Sequence, residues 1–262
     1  MERRIAGRTV FAGSGGRGWD AGLPAILLLH GAGMDHTVWA LQARALAHHG
    51  RNVLALDFPG HGASEGPPLT SIAALAEWVL MVADDCAIDK FRLAGHSMGS
   101  LVALETAARA AGRVEALALC GFAPEMRVHP DLLAAARAGE HAAVELMVSW
   151  SLGMAGMLGA NPAPGLSASG GALRLLERAD MRSLAADFAA CDAYRGAAEA
   201  AAKIACPALL LLVEEDRMTP TKAALAFAPK LADRRIVMLP GGGHVMPSEA
   251  PSQTLAALRK IL

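Results

Sequence analysis

Ser97 is the residue of this chain best placed for nucleophilic chemistry. It stands at the centre of Gly95-His96-Ser97-Met98-Gly99, a Gly-x-Ser-x-Gly pattern. A serine hydroxyl is a poor nucleophile near neutral pH, and it needs a base that is oriented by a carboxylate. Because small residues are common in this Ala- and Gly-rich chain, the pattern could occur by chance. Whether Ser97 is a nucleophile or a helix N-cap therefore depends on partners elsewhere.

Candidate partners follow two later apolar runs. The run PALLLLV is followed by EED, which ends at Asp216, and the run RRIVMLPG is followed by GGH, which ends at His244. Both positions fall at the carboxyl ends of predicted strands, where catalytic groups of open parallel sheets collect. The order serine, acid, histidine is the one expected for a strand-to-helix serine turn. We predict His244 as the base and Asp216 as its orienting acid, with Glu214 and Glu215 as alternatives.

Alternating strands and helices are predicted to position these residues. After an opening hairpin within 4–15, short apolar runs predict strands at 25–31, 51–60, 91–97, 114–121, 206–216 and 234–241. Helical periodicity predicts helices at 36–50, 71–86, 100–112, 221–232 and 247–262. The alternation is typical of βαβ units around a parallel sheet. Ser97 then lies where a strand turns sharply into a helix, and its flanking glycines relieve the crowding there.

The composition limits the classes of function. The chain has 262 residues, 53% of them hydrophobic, which suits a single α/β domain. A formal net charge of −1 without basic blocks argues against nucleic-acid and electrostatic membrane binding. The four cysteines lack metal-ligand spacing, so we expect reduced thiols. No apolar run follows the arginines at the start, so we expect no signal peptide and a cytoplasmic protein, either a monomer or a homodimer.

One long stretch, residues 146–173, carries no charge. Prolines and glycines interrupt it, which is unlike a membrane span. Methionine and other apolar side chains from this stretch would line an adaptable pocket if they faced Ser97. The alternatives are ordinary packing within the segment and a lipid-facing surface. We name Met147, Trp150 and Met154 as candidate substrate contacts.

With these motifs in order, the chain resembles the α/β-hydrolase superfamily over nearly its whole length. The motifs are LLHGAG (28–33), LDFPGHGASE (56–65), GHSMG (95–99), and EEDRMTP (214–220) paired with GGGHVMPSEAP (241–251). The resemblance implies an α/β fold with a mostly parallel eight-stranded sheet flanked by helices. It also implies a helical cap inserted after the sixth strand. The chain would then divide into a hydrolase core, 1–122 and 196–262, and a cap, 123–195.

The resemblance also implies roles for the residues singled out above. Ser97 would attack a carbonyl carbon and form an acyl-enzyme. His244 would take the serine proton and pass it to the leaving group, while Asp216 would orient the imidazole. The backbone N–H groups of Ala32 and Met98 would form the oxyanion hole. No metal or cofactor is implied.

Other residues in the same motifs are expected to lie near the site. Gly31, His96 and Val245 are further candidates for substrate contact. His30 and His61, like His96, are more often loop-fixing than reactive in such positions. These expectations rest on the motif positions alone.

Several substrate classes remain open. A serine at the turn is unlike the aspartate of dehalogenases and epoxide hydrolases of this fold. We expect hydrolysis of a small to medium, largely apolar carboxylic ester, and then of a lactone, because GMDHTVW (33–39) is similar to a loop of enol-lactone hydrolases. Carbon–carbon bond hydrolases and cofactor-free perhydrolases follow, since their oxyanion loops differ from Ala32-Gly33. Ligand-binding relatives without catalysis generally lack a triad member, whereas all three are present here.

Overall fold

A twisted sheet of eight strands forms the centre of the computed structural model, which describes residues 1–159, 165 and 167–262. The strands are β1 (Glu2–Ile5), β2 (Arg8–Gly13), β3 (Ala25–Leu29), β4 (Asn52–Leu56), β5 (Phe91–His96), β6 (Val114–Cys120), β7 (Ala208–Val213) and β8 (Arg234–Leu239). Their order is β1-β2-β4-β3-β5-β6-β7-β8. The β1–β2 and β2–β4 pairs are antiparallel, and all the other neighbours are parallel. The predicted mostly parallel, eight-stranded α/β fold is confirmed.

Some helices flank this sheet, and others form a segment inserted between β6 and β7. They are α1 (Ala40–His48), α2 (Ile72–Asp85), α3 (Met98–Arg109), α4 (Pro130–Ala138), α5 (Ala142–Ser151), α6 (Met154–Met157), α7 (Ala168–Glu177), α8 (Met181–Ala193), α9 (Ala197–Ala201), α10 (Thr221–Phe227), α11 (Met246–Glu249) and α12 (Pro251–Leu258), with 3-10 turns at His36–Trp39 and Ala228–Lys230. Every residue of β3, β4 and β7 is buried. Strands covered on both faces read as continuous apolar runs, which explains why AILLL and ALLLLV show no alternation. No described helix is long and apolar enough to cross a membrane.

Proline divides the closing helix, which differs from the prediction. A single helix over 247–262 was expected, but α11 ends before Ala250, whose φ is −133°. The following Pro251 disfavours helical geometry at the residue before it, so α12 starts afresh. Proline also shortens the helix predicted at 221–232: α10 ends at Phe227, and a 3-10 turn that contains Pro229 follows it.

Among the described residues between β6 and β7 there are six helices, α4 to α9. Within this segment α4 contacts α5 and α8, and α7 contacts α5 and α6, whereas α9 contacts α3 of the sheet layer. No strand occurs among the described residues of 123–195, as the sequence predicts. The division into a cap at 123–195 and a core on either side remains a prediction.

Candidate active site

Ser97 occupies a strained turn between β5 and α3. Its backbone has φ 54° and ψ −123°, a combination that costs of the order of 1–3 kcal/mol for a residue with a side chain. The two flanking glycines make this turn possible. A methyl group on Gly95 would overlap the carbonyl of Gly99, and one on Gly99 would lie 2.5 Å from the carbonyl oxygen of His30. The half-buried Ser97 therefore stands at the carboxyl end of the sheet, as the spacing predicts.

His244 and Asp216 form a buried pair at the same edge. His244 Nδ1 donates to Asp216 Oδ2 over 2.8 Å, and each side chain is only 1% exposed. Thr219 supports the carboxylate with its N–H at 2.8 Å and its hydroxyl at 2.7 Å. Burial alone would raise the pKa of Asp216, but His244 and these hydrogen bonds more than offset it and hold that pKa below its ordinary value. Asp216 therefore stays ionised beside the imidazole.

The end of β6 brings His244 and Ser97 together. The Ser97 N–H donates to the Cys120 carbonyl over 2.9 Å. A methyl group on the next residue, Gly121, would lie 3.1 Å from His244 Cε1, and Gly121 has φ 60°. His244 Nε2 is buried and has no hydrogen-bond partner among the described residues, Ser97 included. Hydrogen bonds between a nucleophile and its base are often long until substrate binds, so this free nitrogen fits the predicted base.

The loop after β3 lies against Ser97. A methyl group on Gly31 would lie 3.1 Å from Ser97 Cβ, so any larger residue would press against the serine. Ala32 lines a cavity together with Ser97. Met98 is the first residue of α3, and the first N–H groups of a helix lack partners within the helix. The two predicted oxyanion donors, Ala32 and Met98, thus flank the serine, and their role remains a prediction.

Buried histidines fix the surrounding loops. Burial, and next the nearby His244, lower the pKa of His96 to about 3, so its ring is neutral. His96 Nε2 donates to the His244 carbonyl over 2.8 Å. His30 has a pKa of about 3 for the same reason of burial, accepts the Phe58 N–H at Nε2 and donates from Nδ1 to the Gly31 carbonyl. Both rings are positioned to hold loops and not to exchange protons.

Two acidic side chains tie the inserted helices to the site. Asp187 on α8 accepts the Gly33 N–H at 2.9 Å and a hydrogen bond from His61 at 2.9 Å. Glu249 on α11 accepts the N–H of Gly153 at 2.9 Å and of Gly243 at 3.1 Å. Sequence patterns gave no sign of the Asp187 contacts or of the Glu249–Gly153 contact, because these join segments that are distant along the chain.

A cavity of about 610 Å³ opens beside Ser97. Of the predicted substrate contacts, Met147 and Trp150 line it, and Gly31 and His96 pack next to the serine. The remaining lining residues were not foreseen; they are Met126, Arg127, Val128, His129, Pro130, Leu132, Phe188, Cys191, Arg217, Met218 and Thr219. Most of them follow the carboxyl ends of β6 and β7. Binding residues of open parallel sheets collect at these ends, so the predicted strand ends were the sequence signal for them.

Two of the predicted substrate contacts lie outside this cavity. Met154 is 67% exposed and lines a neighbouring cleft, where its N–H donates to Glu215 at 3.0 Å. Val245 is buried and faces a separate cavity of about 320 Å³, lined also by Met34 and Pro247. Part of the uncharged stretch, 160–164 and 166, lies outside the described residues.

One cluster among the described residues has metal-ligand types, namely Asp35, His36 and Asp57. Both of its carboxylates already accept hydrogen bonds. Asp57 accepts hydrogen bonds from His36 and from the Ala63 N–H, and Asp35 accepts from Arg178. These hydrogen bonds join the loop at 35–36 to the loop at 57–63, and the cluster does not line the cavity beside Ser97.

The sequence pattern of the alpha/beta hydrolase family matches residues 26–258, which is most of the chain. The chain belongs to the alpha/beta hydrolase family. This alpha/beta hydrolase is similar to the putative carbamate hydrolase RutD of Klebsiella pneumoniae subsp. pneumoniae, with 28% identity over 239 residues, 85% of each protein. A part of it is similar to the dihydrolipoyllysine-residue acetyltransferase component of the acetoin cleaving system of Pseudomonas putida, with 42% identity over 107 residues. That match spans only 28% of the longer protein.

Among solved structures, this hydrolase is similar to the enol-lactonase from Burkholderia xenovorans LB400. The TM-score is 0.88 at 26% identity, and the match covers 99% of this chain and 98% of the other. It also shares its fold with a thermophilic esterase from Thermogutta terrifontis, with a TM-score of 0.84 at 21% identity and coverage of 99% and 96%.

Proposed function

We propose that this alpha/beta hydrolase cleaves carboxylic esters through an acyl-enzyme on Ser97. The observation that carries the proposal is the His244 imidazole, held at Nδ1 by Asp216 and free at a buried Nε2. A base in this arrangement needs a proton donor on its free nitrogen. The hydroxyl of Ser97, raised on its strained turn, is the nucleophile that supplies it.

The proposed reaction has two halves. Ser97 Oγ attacks the ester carbonyl carbon while His244 Nε2 takes its proton, and the carbonyl oxygen becomes an oxyanion. That charge is stabilised by the backbone N–H groups of Ala32 and Met98, where losing one donor typically costs about 3–4 kcal/mol. The tetrahedral intermediate expels the alcohol, which takes the proton from His244.

Water completes the cycle. His244 Nε2 removes a proton from a water molecule as its oxygen attacks the acyl carbon. The second oxyanion collapses, and Ser97 leaves with the proton from His244, which frees the carboxylic acid. Asp216 stays ionised throughout and stabilises the imidazolium formed in each half.

Lactone hydrolysis is a second candidate on the same residues. It is favoured by the similarity to the enol-lactonase, which extends over 99% of this chain at 26% identity. A lactone is an internal ester, so each step is the same except that the alcohol stays attached to the acyl group.

Covalent labelling tests the nucleophile directly. A fluorophosphonate should modify one residue, and peptide mass spectrometry should find the label on Ser97. The Ser97→Ala variant should remain unlabelled. A panel of simple esters, lactones and carbamates of matched acyl length would then rank the substrate classes. Labelling elsewhere, or none with a folded protein, would contradict the proposal.

A further inference from the structure

The charged side chains around the cavity beside Ser97 all have one sign. Three residues with cationic or basic side chains line it: Arg127, His129 and Arg217. Among the described residues that line it, none is Asp or Glu. The chain has 24 Lys and Arg against 25 Asp and Glu, so composition alone does not explain this imbalance. The remaining walls are mainly apolar.

Arg217 is the least neutralised of the three. Its guanidinium forms no ion pair with a carboxylate in the described part of the chain. One of its nitrogens donates to the carbonyl of Ser149 at 2.6 Å and also contacts that of Leu152 at 3.3 Å. These bonds hold the side chain against the inserted helices. Because a guanidinium has five N–H donors, several remain for a ligand.

The acidic neighbours of Arg217 are engaged elsewhere. Glu214 accepts the N–H of Gly241 at 3.2 Å. Glu215 accepts the N–H of Met154 at 3.0 Å. Glu214 and Glu215 share a cleft with Arg217 but form no ion pair with it, so the guanidinium lies at the edge of the cavity with N–H donors available to a ligand.

The other two basic side chains contribute less. Arg127 Nε lies 3.5 Å from Glu125 Oε2, and this carboxylate offsets part of the charge of Arg127. His129 accepts the Asp131 N–H at Nδ1 and packs against Trp150 with ring centroids 5.3 Å apart. Its Nε2 remains a hydrogen-bond donor. Arg127 thus adds some positive charge beside Arg217, and His129 adds a neutral hydrogen-bond donor.

We propose that the preferred substrates carry a carboxylate that binds Arg217 while their ester carbonyl meets Ser97. The inference rests on the proposed acyl transfer at Ser97. Arginine suits this task because its planar fork can form two parallel hydrogen bonds to a carboxylate. Met147, Trp150 and Phe188 would pack against the hydrocarbon between the two polar ends. The substrate class is therefore the monoester, or the carboxylate-bearing lactone, of a dicarboxylic acid.

Matched pairs of esters test this specificity. The probes are the monomethyl esters of dicarboxylic acids from succinate to suberate. Each is paired with a neutral isostere in which an isopropyl group replaces the carboxylate. The wild type should hydrolyse the anionic member with the higher kcat/KM at its best chain length. Added salt should raise KM for the anionic ester and leave the neutral one unchanged.

Variants at one position assign the effect. Arg217→Met should lower kcat/KM for the anionic ester by about 10-fold, mainly through KM, and leave the neutral isostere unchanged. Arg217→Lys should restore part of the loss. The control is Arg182→Met, which removes a cap-segment charge that is 88% exposed and outside the cavity. This control should leave the ratio of kcat/KM for the anionic ester to kcat/KM for the neutral isostere unaltered.

Two results would overturn the proposal. In one, the wild type prefers the neutral isostere at every chain length. In the other, Arg217→Met slows both esters equally, which would mean that its bonds to Ser149 and Leu152 serve only to hold the inserted helices.

A binding measurement separates this inference from the proposed function. Calorimetric titration of Ser97→Ala with the same esters needs no turnover. Preference for the monoanion that disappears in Ser97→Ala/Arg217→Met supports the anion site even if no ester is hydrolysed. Equal binding of both members of each pair refutes the anion site even if esters are hydrolysed.

Discussion

The carboxylate of Asp187 accepts a hydrogen bond from the backbone N–H of Gly33 at 2.9 Å. Asp187 belongs to α8 in the inserted segment, and Gly33 directly follows Ala32, the predicted oxyanion donor. The same oxygen accepts a hydrogen bond from the buried His61 at 2.9 Å. One side chain of the inserted helices therefore fixes both loops that surround the serine turn.

Replacing Asp187 with asparagine should impair catalysis more than substrate binding. The Asp187→Asn side chain keeps its size, but its neutral amide oxygen is a weaker acceptor for the two donors. Its NH2 group would also stand where Oδ1 is buried without a partner among the described residues, so the loop at Ala32 is held less firmly. We expect a loss of about 1–3 kcal/mol in unfolding free energy and a fall in kcat with little change in KM. Urea unfolding and steady-state kinetics measure the two effects.

Asp192→Asn is the matched control for that variant. Asp192 lies on the same helix and accepts the Val128 N–H at 3.1 Å, a bond that an asparagine oxygen can keep. Its kcat should equal that of the wild type. Equal kcat for both variants would show that Asp187 does not position the oxyanion loop.

His61 should make stability depend on pH. Burial lowers the pKa of His61, but the charge of Asp187 and its hydrogen bond raise it by more, so the pKa lies above the ordinary 6.5. The folded state therefore keeps the proton to higher pH than the unfolded state. This contribution is complete below about pH 6.5 and is lost as pH rises through the folded pKa.

The difference between wild type and His61→Gln isolates this effect. Urea unfolding of both proteins from about pH 6 to pH 9 should show the wild-type advantage shrinking as pH rises. An advantage that stays constant over the range would mean that His61 is not protonated in the folded protein.

Thr219 should act as a positioning residue for the acid and base. Its hydroxyl donates to Asp216 and lies 3.2 Å from His244 Nδ1. Thr219→Val keeps the shape and removes this bond, which should lower kcat roughly 10-fold, the effect of one hydrogen bond to a charged group. Thr106→Val, which removes a buried bond to the Val102 carbonyl on α3, should leave kcat unchanged. A similar fall in both variants would indicate a general loss of packing.

Two glycines should respond to alanine in opposite directions. Gly99→Ala places a methyl group 2.5 Å from the Leu29 carbonyl oxygen, and we expect a loss of about 3 kcal/mol or failure to fold. Gly171, inside α7, has open space around it, so Gly171→Ala should stabilise the protein by about 0.5–1 kcal/mol. Thermal unfolding distinguishes them, and two near-neutral results would contradict the packing around the serine turn.

The sequence predicts the strands, and the residues that directly follow the end of a strand. The strand pattern is unambiguous for runs such as AILLL and ALLLLV, and it identified all eight strands. Ser97, Asp216 and His244 each follow such a run, so the topology alone brings them to one edge of the sheet. The positions of these residues therefore needed no knowledge of side-chain packing.

The rest depended on how distant segments meet. Nothing in the sequence around Asp187 or Arg217 indicates which loop or cavity each side chain reaches, because those neighbours come from other elements. The position of Met154 outside the cavity was equally unreadable, since a four-residue helix has no periodicity from which to infer the side that it buries. Proline effects at Ala250 were local and could have been foreseen.

The most direct test of the proposed nucleophile is turnover of p-nitrophenyl esters of increasing acyl length by wild type and Ser97→Ala. If Ser97, His244 and Asp216 act as a unit, kcat should fall by roughly five to six orders of magnitude in the variant. Ser71→Ala, which removes the N-cap hydrogen bond of α2 and does not line the cavity, should retain wild-type kcat. A folded Ser97→Ala protein that hydrolyses the esters at a rate near that of the wild type would contradict the account.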